Sequence, residues 1–157
     1  MIVPLRYQWG LLFLLMGALL PISPSLSLSG WDAPLVSFFF WPFAHANILH
    51  YLVNLWAWIW WWPLVTWDRL WFAYIVSILA GLAHITFTTH PLPLLGFSGI
   101  IFFFVGFSVP LRPLKSVLIS VVFLALPLLF FDTIAGEVHM LTFCFGWAYC
   151  KSIQMYG

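Results

Sequence analysis

A chain of 157 residues that is 64% hydrophobic and only 6% charged, with a mean hydropathy of +1.08, carries too little charge to cover a water-facing surface. Its formal charge of +1 argues against nucleic acid as a partner and leaves the lipid bilayer as the solvent. At about 20 residues per crossing, the length holds roughly five to seven spanning helices in one domain over residues 1–157.

The breakers divide the chain into six apolar segments. The first covers about residues 7–20 and ends in the Pro/Ser-rich stretch 21–30. Its residues 11–20 resemble the apolar core of a secretion signal, but no small-x-small cleavage site follows. The second covers about 47–65 and is closed by Pro63 and the run Thr66-Trp67-Asp68-Arg69. The third covers about 70–87 and leads into the loop Thr88-Thr89-His90-Pro91-Leu92-Pro93. The fourth starts at Ser98 and stops at Val109-Pro110-Leu111-Arg112-Pro113. The fifth covers about 116–131, with a kink expected at Pro127, and the sixth about 136–152. Cys144 and Cys150 stand six apart on that last segment, so they point to different sides and are expected as unpaired core thiols.

Charge sets the orientation. Arg6, Arg69, Arg112, Lys115 and Lys151 all fall on one side of a six-span path, the cytoplasmic side by the positive-inside rule. Asp32, Asp132 and Glu137 fall on the other, and Asp68 alone breaks the pattern. The expected fold is therefore an all-α membrane protein, a bundle of six transmembrane helices with both termini cytoplasmic. Trp60, Trp61, Trp62, Trp67 and Trp71 gather at the inner ends of segments two and three, where an interfacial aromatic belt is expected.

The few polar side chains are placed with more order than the segments need. Segments two, four and six all start from the outer face. Their first turns carry His45, His50 and Asn54, then Ser98, then His139, so all five share one depth. His50 and Asn54, spaced i,i+4, occupy one helix face. Segment four, at 1.5 Å per residue, is only about 18 Å long against a hydrocarbon core of about 30 Å. Ser98 then starts below the outer surface, and the irregular backbone ahead of it must be buried in protein or line a wet cavity. Gly96 frees the backbone to turn inward there, and Gly99 is expected to let the sixth helix approach. An ionisable side chain inside a membrane suggests function by default. His84 and His90 read instead as structural or solvated. No His/Cys/carboxylate spacing suits a metal, and no cofactor is expected.

In these residues the sequence resembles the rhomboid intramembrane serine proteases. The family's His, four residues, His, three residues, Asn stands here as His45-Ala46-Asn47-Ile48-Leu49-His50-Tyr51-Leu52-Val53-Asn54. Its Gly-x-Ser-Gly stands as Gly96-Phe97-Ser98-Gly99, and the histidine of its sixth helix as His139 with a packing glycine at Gly146. The resemblance implies Ser98 as nucleophile and His139 as its base. It implies His50, Asn54 and the Ser98 backbone N–H as oxyanion donors, His45 as support for the first loop and cavity, and Phe102 packed under the imidazole. Two departures stand out. The Trp-Arg pair common in the family's first loop is missing from Val36-Ser37-Phe38-Phe39-Phe40. Thr142 replaces a frequent glycine, which implies that helix six stands farther from helix four and lengthens the Ser98–His139 separation.

The chemistry is consistent with that resemblance. A serine hydroxyl needs a neighbouring base before it is a useful nucleophile. Glu137 points about 200° around the helix from His139, and Asp132 falls in a loop, so a Ser98–His139 dyad is expected rather than a triad. The implied substrates are transmembrane proteins, cut near the outer face of a bacterial inner (plasma) membrane. Two alternatives stay open at the level of sequence: a catalytically inactive rhomboid-like binder or escort of membrane proteins, and a small transporter or channel lined by His and Asn.

Overall fold

A computed structural model describes residues 26–89, 93–116, 118, 119, 122 and 136–156, with side chains through 155. The first apolar segment, most of the fifth, His90, Arg6 and Asp132 lie outside the described residues. Among the described residues 114–116, 118, 119 and 122 are helical, and five further helices have defined bounds: α1 Leu35–Phe40, α2 Ile48–Trp61, α3 Trp67–Phe87, α4 Ser98–Ser108 and α5 Gly136–Tyr156. They contain segments two, three, four and six in order. Among the described residues there are no strands, only an isolated antiparallel bridge between Leu28 and Leu94. Helix α1 falls in the loop between segments one and two and had no periodic signal of its own.

Local chemistry explains the ends. Asn47, in extended backbone, caps α2 by accepting from the His50 N–H at 2.8 Å. Pro63 lacks an N–H and turns the helix end into a 3₁₀ turn, Trp62–Leu64. Helix α3 begins three residues earlier than the hydropathy suggests, and Asp68 lies in its first turn. That accounts for the one acidic residue on the basic side, because the helix dipole favours a carboxylate there. At 21 residues α3 is about 31 Å long, and among the described residues it is the one helix long and apolar enough to cross a bilayer. Helix α5 has the same length, reaching Tyr156 rather than about residue 152.

Helix α4 is the central post. Every residue from Gly99 to Ser108 is buried, as expected of a helix that is apolar all round. Its most extensive packing is against α5, then α3 and α2. In lipid, helices associate through close packing rather than apolar burial, and small residues permit it. Here the fit is reciprocal: a Cβ on Gly106 would overlap the Phe143 carbonyl of α5, and one on Gly146 would overlap the Phe103 carbonyl of α4.

Three sequence expectations are corrected. Gly99 does not face the sixth helix; its Cβ position is 3.1 Å from Ser77 Oγ of α3 and 3.7 Å from Trp41. Trp61 is not in an aromatic belt but is 1% exposed in the core, whereas Trp60, Trp67 and Trp71 face outward. Cys144 is exposed, so only Cys150 is a core thiol, and both are free. Basic residues close the end of the core away from Ser98. Arg69 stacks its guanidinium 4.6 Å from the Phe107 ring centre and donates to the Leu64 carbonyl at 2.9 Å, while Arg112 lies 4.6 Å over Trp61.

Candidate functional site

At the opposite end of α4, Ser98 is the first helical residue, so its backbone N–H is one of the four that a helix start leaves without an intrahelical partner. The chain enters through Gly96, whose φ of +107° is a conformation that residues with a Cβ rarely adopt. The Gly96 N–H donates to the Trp41 carbonyl at 3.0 Å, and two hydrogen bonds pair Leu94 with Leu28 at 3.0 and 3.1 Å. The irregular segment ahead of Ser98 is thus satisfied by protein at the positions that reach it.

Gly96 also seats the α2 side chains. A Cβ on it would lie 2.6 Å from His50 Cε1 and Nε2 and 3.2 Å from Asn54 Nδ2. His50 and Asn54, one turn apart on α2, therefore both reach the backbone two residues before the serine. Asn54 is 4% exposed, and its Nδ2 donor has no hydrogen-bond partner among the described residues.

From the other side, α5 brings His139 to the serine. His139 Nε2 lies 2.7 Å from Ser98 Oγ, within ordinary hydrogen-bond reach. The Phe102 ring, one turn below Ser98, stacks on the imidazole with centres 4.4 Å apart and planes 16° apart. If Nε2 accepts from the serine hydroxyl, the ring proton sits on Nδ1, which is buried without a partner among the described residues. Among the described residues no carboxylate orients this histidine. Glu137, two residues earlier, points instead to α3, with Oε1 3.2 Å from His84 Nδ1.

Thr142 does not have the effect expected of it. It is fully buried, and its hydroxyl turns back onto its own helix, 3.0 Å from both the Val138 and His139 carbonyls. With that polar atom satisfied internally, the methyl fits the interface and the Ser98–His139 distance stays short. The glycines at 106 and 146, lower on the same interface, set the helix separation.

His45 lies in the turn before α2, outside the helices. It is 2% exposed, with its ring edge-on to His50 at 5.3 Å and to Tyr51 at 5.2 Å. Burial first, and then the neighbouring His50, holds its pKa down to about 4, so it is neutral at pH 7. Its ring contacts are with His50 and Tyr51. Of the two readings open for His84, structural or solvated, the structure shows the first: it is buried near the end of α3, with Nδ1 also 3.3 Å from Thr88 Oγ1.

Sequence reasoning missed Gly106, Ser77 and the His84–Glu137 pair. For Gly106 a signal existed, since a glycine inside an apolar helix costs helical stability unless close approach requires it. The pair had none, because its members lie 53 positions apart on different helices.

A serine hydroxyl within reach of an unpaired imidazole, beside a free helix-start amide and a buried amide donor, is suited to acyl transfer. No curated protein matches the sequence. The family model for the Rhomboid domain matches residues 32–153, a span that holds every site residue described above. That family consists of integral membrane proteins, both serine proteases and inactive relatives, and the protein described here belongs to it.

Proposed function

We propose that this protein is an intramembrane serine endopeptidase that cleaves transmembrane segments of membrane proteins near the outer face. The observation that carries the reading is the 2.7 Å approach of His139 Nε2 to Ser98 Oγ, with the imidazole stacked on Phe102. Inactive relatives have no need for a reactive pair held at this distance.

In the proposed mechanism, His139 Nε2 takes the proton of Ser98 as Oγ attacks the scissile carbonyl. The negative oxygen of the tetrahedral intermediate is met by the Ser98 N–H, His50 and Asn54 Nδ2, each such donor being worth about 3–4 kcal/mol when removed. The C–N bond breaks as His139 passes its proton to the leaving amine, giving an acyl-enzyme on Ser98. Water, deprotonated by His139, then releases the acid and restores the serine. This is a dyad mechanism, and it needs no cofactor and no metal.

The reading extends to architecture. All of residues 1–157 form one domain of six spans with both termini cytoplasmic, and the site opens toward the periplasmic side of a bacterial inner membrane. The five basic residues at the inner ends of the segments support that orientation. Its partners are transmembrane protein substrates and the bilayer itself.

The test is labelling of the purified, reconstituted protein by a fluorophosphonate probe, with cleavage of a single-span test substrate. The wild type is expected to be labelled and to cleave, and Ser98→Ala and His139→Ala to do neither. Cleavage by Ser98→Ala protein would remove the dyad; an unlabelled, inactive wild type that still binds the substrate would make it an escort.

A further inference from the structure

We propose that His84 and Glu137 are positioning residues for this reaction, tethering the first turn of α5 to α3 and so fixing where His139 meets Ser98. This rests on the reading of Ser98 and His139 as the reacting pair.

In a triad, a carboxylate holds the basic histidine by its second nitrogen. Here His139 Nδ1 has no partner among the described residues, so no hydrogen bond fixes the ring from behind. The ring position then depends on the Phe102 stack and on the backbone of residue 139 itself. That backbone is only three residues from the start of α5 at Gly136, in a turn whose leading N–H groups lack intrahelical partners and which tends to fray. Among the described residues a side chain at Gly136 would meet nothing within 4 Å, and the packing of this turn begins at Val138, which is 2% exposed in one buried cluster with Ala80 and Ile85 of α3. The glycine contacts that lock α5 onto α4 lie at Phe143 and Gly146, a full turn or more below His139.

Glu137 adds a polar tether to the apolar contact made by Val138. Its Oε1 lies 3.2 Å from His84 Nδ1, and the His84 side chain is 1% exposed while that of Glu137 is 55% exposed. The buried member lies near the end of a 21-residue helix, and the exposed member is the one on the turn to be held. Thr88 Oγ1, 3.3 Å from the same Nδ1, steadies the imidazole. The carboxylate also suits the positive start of α5. Glu137 thus does what a triad carboxylate does, but it acts on the backbone that carries the base and not on the ring. Half-exposed pairs add little to global stability, so the effect belongs in turnover and not in unfolding.

The experiment compares full-chain variants reconstituted in nanodiscs by steady-state cleavage of the single-span substrate, with hydrogen exchange across residues 136–141. Glu137→Ala is expected to lower kcat at least tenfold with KM within about twofold, and to speed exchange across that turn. Glu137→Gln keeps an oxygen in place beside His84 Nδ1 and is expected to stay within about threefold of wild type. Adding His84→Ala to Glu137→Ala is expected to cost no more than Glu137→Ala alone, the mark of a coupled pair. A Glu137→Ala protein with wild-type kcat and exchange, beside an inactive Ser98→Ala, would overturn the tether and leave the hydrolase reading standing. If the wild type is itself inactive, the hydrolase reading fails, and unchanged exchange in Glu137→Ala removes the tether as well. Exposed Glu137 carries the decisive variant, so a misfolded His84→Ala would not leave the outcome undecided.

Discussion

Phe102 and His139 stack face to face across the α4–α5 interface, 4.4 Å between centres and 16° from parallel, with the serine hydroxyl 2.7 Å from the imidazole. Phe102 sits one helical turn below Ser98, so a single helix supplies both the hydroxyl and the surface on which the base rests. Aromatic pairs contribute about 0.5–1.5 kcal/mol beyond their buried area. Phe102→Leu should therefore lower kcat by roughly three- to tenfold, with Phe102→Tyr closer to wild type. Cleavage kinetics of the two variants check this, and a leucine variant with unchanged kcat would show that the stack is packing alone.

Asn54 offers a different signature. Its Nδ2 has no hydrogen-bond partner among the described residues, so the donor is available to a developing oxyanion. Asn54→Ala is expected to lower kcat on the order of 10²-fold, while the thermal unfolding temperature hardly changes. The outcome that would exclude Asn54 from the oxyanion site is full turnover in a folded alanine variant.

Gly106 and Gly146 should be among the least substitutable positions in the chain. A side chain at either would overlap a main-chain carbonyl of the facing helix, which cannot move aside as a flexible side chain can. Overpacking a close interface costs roughly 1–3 kcal/mol, and more where backbone must shift. Gly106→Val and Gly146→Val should lower stability by at least that much and separate Ser98 from His139. Unfolding in detergent and probe labelling would both register the change.

Gly99 is constrained differently, and its constraint should be reversible. The atom nearest its Cβ position is Ser77 Oγ at 3.1 Å; the Ser77 Cβ is at 3.5 Å, an ordinary contact. Ser77 Oγ donates to the Ala73 carbonyl at 2.8 Å, which keeps it from swinging away freely. Gly99→Ala alone should destabilise the protein, and Ser77→Ala in the same chain should restore most of the loss. A double variant no better than the single one would mean that the α3–α4 approach is limited elsewhere.

The fold was legible in outline because membrane helices announce themselves by composition. Segments two, three, four and six appear as helices at nearly the expected positions, and α4 starts and stops at Ser98 and Ser108 as the flanking Gly-rich and Pro-rich stretches indicate. Boundaries moved where the helix dipole outranked hydropathy, as at Trp67, where a helix start accepts Asp68. Trp61 was misplaced because an indole at a segment end reads the same whether it faces headgroups or Arg112.

The site divides along the same line. By itself the sequence determined which residue types stand at one depth: serine, histidines and asparagine in the first turns of segments that start from one face, with a glycine where the backbone must turn. Those facts follow from residue spacing and the bilayer's thickness, both of which are properties of a linear chain. Only the tertiary structure decided distances and facing. It placed Thr142 with its hydroxyl folded onto its own carbonyls, turned Gly99 toward Ser77, and assigned the close approach of α4 and α5 to Gly106 and Gly146. It also gave Glu137 to His84 and not to His139. Helical spacing shows which way a side chain leaves its own helix, but what it meets depends on how neighbouring helices pack, and that is set jointly by residues far apart in the chain.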